Sequence, residues 1–349
     1  MSASVARPSA VQVPFAGSAA AKRRAWRKRA SRVARFALAA LLAGCALVAS
    51  AAPARATAQP QAFRVPQAAH APLVALAFAG TRLVAVGDYG IVVLSDDGGT
   101  TWRQAQAVPT RDLLTAVVFV DARTGYAAGH GGVVLRSDDA GDTWRRVYAG
   151  RADTPLLALW FENARHGIAV GAFGAAVATD DGGAHWRELV LGEGDDRDRH
   201  LNGIVALKDG TLLVTAEAGT LFRSGDGGQT WAVQALPYNG SLWGGLSLRD
   251  GTVLVFGMRG HVLRSTDQGR SFVDVPTGTH QSLTAAAQLA DGSVVLAGLS
   301  GTILKSRDAG ATFTVTTLPA RQTFTAVVEA GSHLVLTSMG GIVEPTAVR

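Results

Sequence analysis

Ser137-Asp138-Asp139-Ala140-Gly141-Asp142-Thr143-Trp144 is one of six versions of a single phrase in this chain of 349 residues. Ser95–Trp102, Thr179–Trp186, Ser224–Trp231, Ser265–Phe272 and Ser306–Phe313 repeat it, and the closing aromatics stand 42, 42, 45, 41 and 41 residues apart. A fixed period of this size marks a repeat architecture. Twelve residues before each aromatic stands a glycine: Gly90, Gly132, Gly174, Gly219, Gly260 and Gly301; Gly341 is a seventh, with no such phrase after it. Apolar runs such as Leu83–Gly87 and Val294–Gly298 precede these glycines, and others such as Val133–Arg136 follow them. Short Val- and Leu-rich runs bounded by Gly and Asp turns read as strands.

Each unit therefore supplies an inner strand (Leu114–Phe119 in the second unit), a second (Gly125–Gly129), a third (Gly132–Ser137) and an outer one after the aromatic. Four strands every 40-odd residues predict an all-β, seven-bladed β-propeller of four-stranded antiparallel blades, in which neighbours must stack to cover one another. The seventh unit lacks an outer strand. Ala62-Phe63-Arg64-Val65-Pro66 resembles Ser271-Phe272-Val273-Asp274-Val275-Pro276, so residues 61–67 are expected to pair with the third strand of the last blade and close the ring.

In each box the aspartate (Asp97, Asp139, Asp181, Asp226, Asp267 or Asp308) suits the acceptor of turn amides. The glycine suits a positive φ, and the aromatic (Trp102, Trp144, Trp186, Trp231, Phe272 or Phe313) suits packing between blades. One or two carboxylates per box are too few for a calcium ion, which takes six to eight oxygens. No metal or cofactor is expected, and the mixed loop Gly192–Arg199 reads as self-neutralising.

The boxes resemble the bacterial neuraminidase (BNR) repeat. Their arrangement behind a Gly-x-x-Gly hairpin and Val-Leu-Arg-Ser more closely resembles the photosystem II stability/assembly factor family, over roughly residues 60–345. That resemblance implies an exported, non-enzymatic propeller that binds a membrane protein complex or its assembly intermediates, photosynthetic or not, with a patch of arginines. The alternative is a carbohydrate-active propeller, sialidase-like or glycan-binding, for which Phe63-Arg64-Val65-Pro66 resembles a Phe-Arg-Ile-Pro motif. The four tyrosines offer no evident Tyr–Glu nucleophile pair, and there is no nucleophile elbow or His-Glu-x-x-His.

Charge separates a leader from a body. Residues 1–56 hold ten of the 33 Lys and Arg and none of the 27 Asp and Glu, leaving 23 basic against 27 acidic residues beyond. A mildly acidic body argues against nucleic acid as a partner. The basic segment through Arg35, the apolar run 36–50 and Ala54-Arg55-Ala56 form a signal peptide over 1–56, ahead of a single propeller domain over 57–349. Export to the periplasm follows. Leu42-Ala43-Gly44-Cys45 resembles a lipobox, so a lipoprotein anchored through Cys45 stays open beside cleavage before Thr57.

In a propeller the second-to-third and outer-to-inner connections share one face. That places Tyr89, Arg111, His130, Arg151, Phe173, Tyr238, Arg259, His280 and Arg321 together as candidate partner-binding residues on a monomeric ring. Four residues after the marker glycine stand Arg136, Arg223, Arg264 and Lys305, with Leu94 and Ala178 as exceptions. They read either as a basic arc for an acidic partner or as local partners of the box carboxylates.

Overall fold

In the computed structural model, which describes residues 59–343, the period of the box phrase is the period of one sheet. The first blade is Leu73–Ala79, Arg82–Gly87, Val92–Ser95 and Arg103–Gln104. The second is Leu114–Phe119, Gly125–Gly129, Val133–Ser137 and Arg145–Ala149; the third is Leu156–Phe161, Gly167–Gly171, Ala176–Thr179 and Arg187–Glu188. The fourth is Leu201–Ala206, Leu212–Ala216, Thr220–Ser224 and Ala232–Ala235; the fifth is Leu242–Ser247, Val253–Gly257, Val262–Ser265 and Val273–Val275. The sixth is Leu283–Gln288, Val294–Gly298, Thr302–Ser306 and Thr314–Thr317; the seventh has three strands, Phe324–Ala330, His333–Ser338 and Gly341–Val343. Every blade is an antiparallel meander, and among the described residues the only helical pieces are short 3₁₀ turns. The proposed leader over 1–56, with Cys45, and the cleavage point before Thr57 lie outside the described residues.

A blade sandwiched between two others has no wet face, which is why its second strand is predominantly apolar. Gly125–Gly129, Leu212–Ala216 and Val253–Gly257 are buried at every residue. The cores lie between blades: Val84, Val86 and Leu94 of the first pack with Leu114, Leu135 and Trp144 of the second. Ile168 and Val170 of the third meet Leu212, Val214 and Phe222 of the fourth, and Leu83 meets Val335 across the ring closure. Each such aliphatic side chain contributes about 1.5–3 kcal/mol by burial. The inner strands line an axial channel of about 450 Å³. Its threonines are turned to the next blade, where the Oγ1 of Thr115, Thr284 and Thr325 donates to the carbonyls of Leu156, Phe324 and Leu73 at 2.6, 2.8 and 2.6 Å.

The closure differs from the expectation. Residues 61–67 form no strand and do not pair with Gly341–Val343. They lie along the outer strand of the first blade instead. The Ala62 N–H donates to the Val108 carbonyl at 2.9 Å, Gln104 donates to the Phe63 carbonyl at 2.6 Å and accepts from the Val65 N–H at 3.1 Å, and Arg64 donates to the Gln106 carbonyl at 2.7 Å. Arg111 covers the Phe63 ring at 4.1 Å and donates to the Gln61 carbonyl at 2.9 Å. The difference has a specific cause: Gln104 and Arg111 offer the residues before Pro66 partners in the first blade.

The next turn, Ala68–His70, keeps half of the expected role. A side chain on Gly341 would strike the Ala69 carbonyl, just as one on Gly90 would strike that of Thr110 in the connection between the first two blades. The N-terminal segment thus supplies the last connection of the ring but not its last strand. Closure rests on Thr325 to Leu73 and on His333 Nε2, 2.9 Å from the Gly98 carbonyl.

Candidate functional site

The two ends of the blades are built by opposite rules. At the box end the donors of the turn are met by fixed acceptors. Asp97 accepts from the Ser95 hydroxyl at 2.8 Å, the Thr101 N–H at 2.8 Å and the Thr101 hydroxyl at 2.6 Å, while the Gly99 N–H donates to Ser95 and the Trp102 indole to the Gly99 carbonyl. Thr143, His185, Thr230, Ser271 and Thr312 bind Asp139, Asp181, Asp226, Asp267 and Asp308 in the same way. These bonds favour the charged carboxylate. The Thr101 hydroxyl and N–H hold Asp97 down at about 2, Thr312 holds Asp308 at about 2, and Asp181, Asp226 and Asp267 lie lower still. Trp144 and Phe272 are buried among neighbouring blades. The Trp186 indole is the exception, buried against Tyr148 with no acceptor among the described residues.

The carbonyl one residue beyond the box aspartate is a joint between blades. Arg82 reaches that of Ala140 at 3.3 Å, Arg136 that of Gly182 at 3.0 Å, and His166 that of Gly227 at 3.0 Å. Arg223 reaches that of Gln268 at 2.9 Å, Arg264 that of Ala309 at 2.9 Å, and His333 that of Gly98 at 2.9 Å. Three of the four residues of the basic arc are therefore engaged with the neighbouring blade. Arg136 also pairs with Asp138 of its own blade at 2.8 Å. The exceptions Leu94 and Ala178 explain themselves, because in those blades Arg82, which opens the second strand, and His166, just before it, take over the joint. Lys305, the fourth, makes no hydrogen bond among the described residues, and the seventh blade beside its own has no box.

At the opposite end the two-residue hairpins force a left-handed backbone on whatever side chain precedes the marker glycine. Tyr89, Phe173 and Arg259 stand at φ 54°, 54° and 57°, where a residue other than glycine costs about 1–2 kcal/mol. Tyr89 and Phe173 are 54% and 63% exposed. His130, Arg151, His280 and Arg321 are exposed too, and Tyr238 is half-buried, donating to the Met258 carbonyl at 3.1 Å and lying 4.2 Å from the His261 ring. Burial pushes the Tyr238 phenol up.

The structure brings some of these candidates together. Arg151 and Phe173 share a cleft of about 460 Å³ between the second and third blades, with Tyr148, Glu188 and Asp198. Arg259 and His280 share a smaller recess of about 380 Å³ in the fifth blade with His261 and Asp274. Tyr89, His130 and Arg321 belong to neither, and Arg111 is engaged by Phe63. The sequence reading missed His200, whose ring meets Phe173 edge-on at 4.8 Å, and Met339, 53% exposed on the last hairpin. The latter was findable by continuing the Gly-x-x-Gly register to Gly341. Among the described residues no three His, Cys, Asp or Glu gather as a metal site.

A ring of seven blades with hydrogen-bonded turns at one end and varied side chains at the other defines a seven-bladed β-propeller with two unlike faces. Residues 151–245, in the third to fifth blades, match the family model described as Photosynthesis system II assembly factor YCF48. No curated protein matches it in sequence. Among solved structures it is similar to YCF48 bound to D1 peptide, with a TM-score of 0.65 at 17% identity over 81% of this chain and 94% of that one. YCF48 from Cyanidioschyzon merolae gives 0.64 at 17% over 81% and 97%, and a streptogramin B lyase 0.66 at 13% over 80% and 94%. At such identities these likenesses speak to the fold alone.

Proposed function

We propose that this chain is an exported, non-enzymatic binding module that works as an assembly or accessory factor on a membrane protein complex, and that it binds through its hairpin face. The observation that carries this reading is the asymmetry of the ring. The box face is tied up in hydrogen bonds between and within blades, while exposed Tyr89, Phe173, Arg151 and Arg259 stand on the hairpin face. Tyr and Arg are the residues that protein interfaces concentrate at their anchors. Similarity to the family of the assembly factor YCF48, one member of which has been solved with a D1 peptide, supports a peptide or protein partner. The basic leader followed by an apolar run supports export, either with cleavage before Thr57 or with a lipid on Cys45.

The test is affinity capture of the tagged, exported chain from gently solubilised membranes, with mass spectrometry of the co-purifying proteins and of the mature N-terminus. A defined membrane complex in the eluate and an N-terminus at Thr57 or a lipidated Cys45 are expected. An eluate with no membrane protein, together with binding on a glycan array, overturns the assembly role in favour of a carbohydrate one.

A further inference from the structure

The cleft between the second and third blades has a floor and a rim of different chemistry. Its floor is apolar, formed by Leu156, Val177, Leu189 and the ring of Tyr148, and exposed Phe173 stands over it. Its rim is acidic on balance. Arg151 and Asp153 neutralise each other at 3.1 Å, which leaves Glu188 and Asp198 exposed and without an ionic partner among the described residues.

The charge continues beyond the rim. Asp198 ends the 3₁₀ turn Gly194–Asp198, which adds Asp195 and follows Glu193; Asp196 is matched by Arg199 at 2.6 Å, and Arg197 is the turn's one cation without a salt bridge among the described residues. From Glu188 through Arg199 the chain has five carboxylates against two cations. The neighbourhood therefore has the opposite sign to the arginine patch that family resemblance implies.

We propose that this cleft is the docking site for an extended segment of the partner protein in which one aromatic or aliphatic side chain is flanked by Lys or Arg. The apolar side chain enters between Phe173 and the Tyr148 ring, and the flanking cations meet Glu188 and Asp198. The volume is that of a small ligand pocket, enough for a side chain and the backbone beside it. Charge complementarity of this kind sets partner choice and encounter rate, and weakens with salt. The inference rests on the partner-binding role proposed above and specifies its chemistry.

Fluorescence anisotropy with the purified chain tests it, using a fluorescein-labelled decapeptide with a central tryptophan flanked on each side by two lysines, and its counterpart with glutamates for the lysines. The lysine peptide is expected to bind at least about tenfold tighter, with affinity falling as salt rises. The double change Glu188→Lys with Asp198→Lys is expected to reverse the preference. Equal binding of the two peptides, binding of neither, or a preference unmoved by the double change overturns the proposal. Capture from membranes by the doubly changed protein separates the two claims. Undiminished capture by it removes the cleft and keeps the binding role, whereas failure of the unaltered chain to capture anything removes the role itself.

Discussion

Arg259 and Arg264 belong to one blade, five residues apart, on opposite faces of the ring. Arg264 donates to the Ala309 carbonyl of the next blade, a position where the other boxed joints also receive a guanidinium or an imidazole. Arg259 sits at φ 57° on a hairpin, exposed, and its guanidinium makes no hydrogen bond among the described residues. One residue type serves the ring at one end and is free at the other. The difference teaches where to look for function in a repeat. Positions whose chemistry recurs from blade to blade are used by the fold, and positions whose chemistry changes while their geometry recurs are available for a partner.

The comparison breaks most visibly at the box aromatics. Trp144 is buried among Val84, Leu94 and Leu135, so Trp144→Ala should cost about 3–5 kcal/mol. Urea unfolding read by circular dichroism would show it as a lowered midpoint. A shift no larger than that of a surface substitution would mean that the box aromatics are not what ties blades together.

The paired arginines sharpen it further. Arg264→Ala removes a charge-assisted bond at a joint and should cost about 1–3 kcal/mol. Arg259→Ala, on the exposed hairpin of the same blade, should stay within about 0.5 kcal/mol of the parent. Equal midpoints for the two variants would erase the distinction between the faces.

Acid separates the faces by a different route. The box carboxylates have folded-state values depressed below those of an unfolded chain, so the folded state binds fewer protons and stability rises with pH across that interval. Their contribution is complete above the ordinary Asp value near 4 and declines as pH falls through about 2, where Asp97 and Asp308 titrate. The melting temperature should be flat from neutral pH to about 4 and then fall. Asp97→Asn combined with Asp308→Asn should make that fall shallower. An unchanged acid limb would show that these carboxylates do not report on folding.

What the sequence disclosed follows from how local each feature is. Box turns and Gly-x-x-Gly hairpins are closed within eight and four residues, so residue types at fixed spacing were enough to read seven blades. The interblade joints were hidden because donor and acceptor lie far apart in the chain, as with Arg136 and Gly182. A trace was present all the same, since the two complete blades that lack a third-strand cation, at Leu94 and Ala178, are the ones with Arg82 or His166 at the entry to the second strand. The closure was misread because Phe63-Arg64-Val65-Pro66 looks like an outer strand. Its resting place depends on Gln104 and Arg111, whose side chains select it about 40 to 50 residues away. The cleft is legible in the sequence only in pieces: Arg151 and Phe173 fall on connections of one face, but nothing local joins them to Tyr148, Glu188 and Asp198.

A small expected effect on the fold can also be the most informative for function. Phe173 holds a left-handed backbone at φ 54° with 63% of its surface in solvent. Phe173→Gly relieves a conformational cost of about 1–2 kcal/mol. It also adds about 0.5–1 kcal/mol of unfolded-chain entropy and loses the edge contact with His200, worth about 0.5–1.5 kcal/mol. These terms nearly cancel, so the urea midpoint should move by less than about 1 kcal/mol, whereas capture of the partner from membranes should drop. Such a split between stability and binding is what a side chain kept for a partner produces. A Phe173→Gly protein that unfolds early and captures normally would assign Phe173 to the fold and erase the asymmetry between the faces at the residue where it is most exposed.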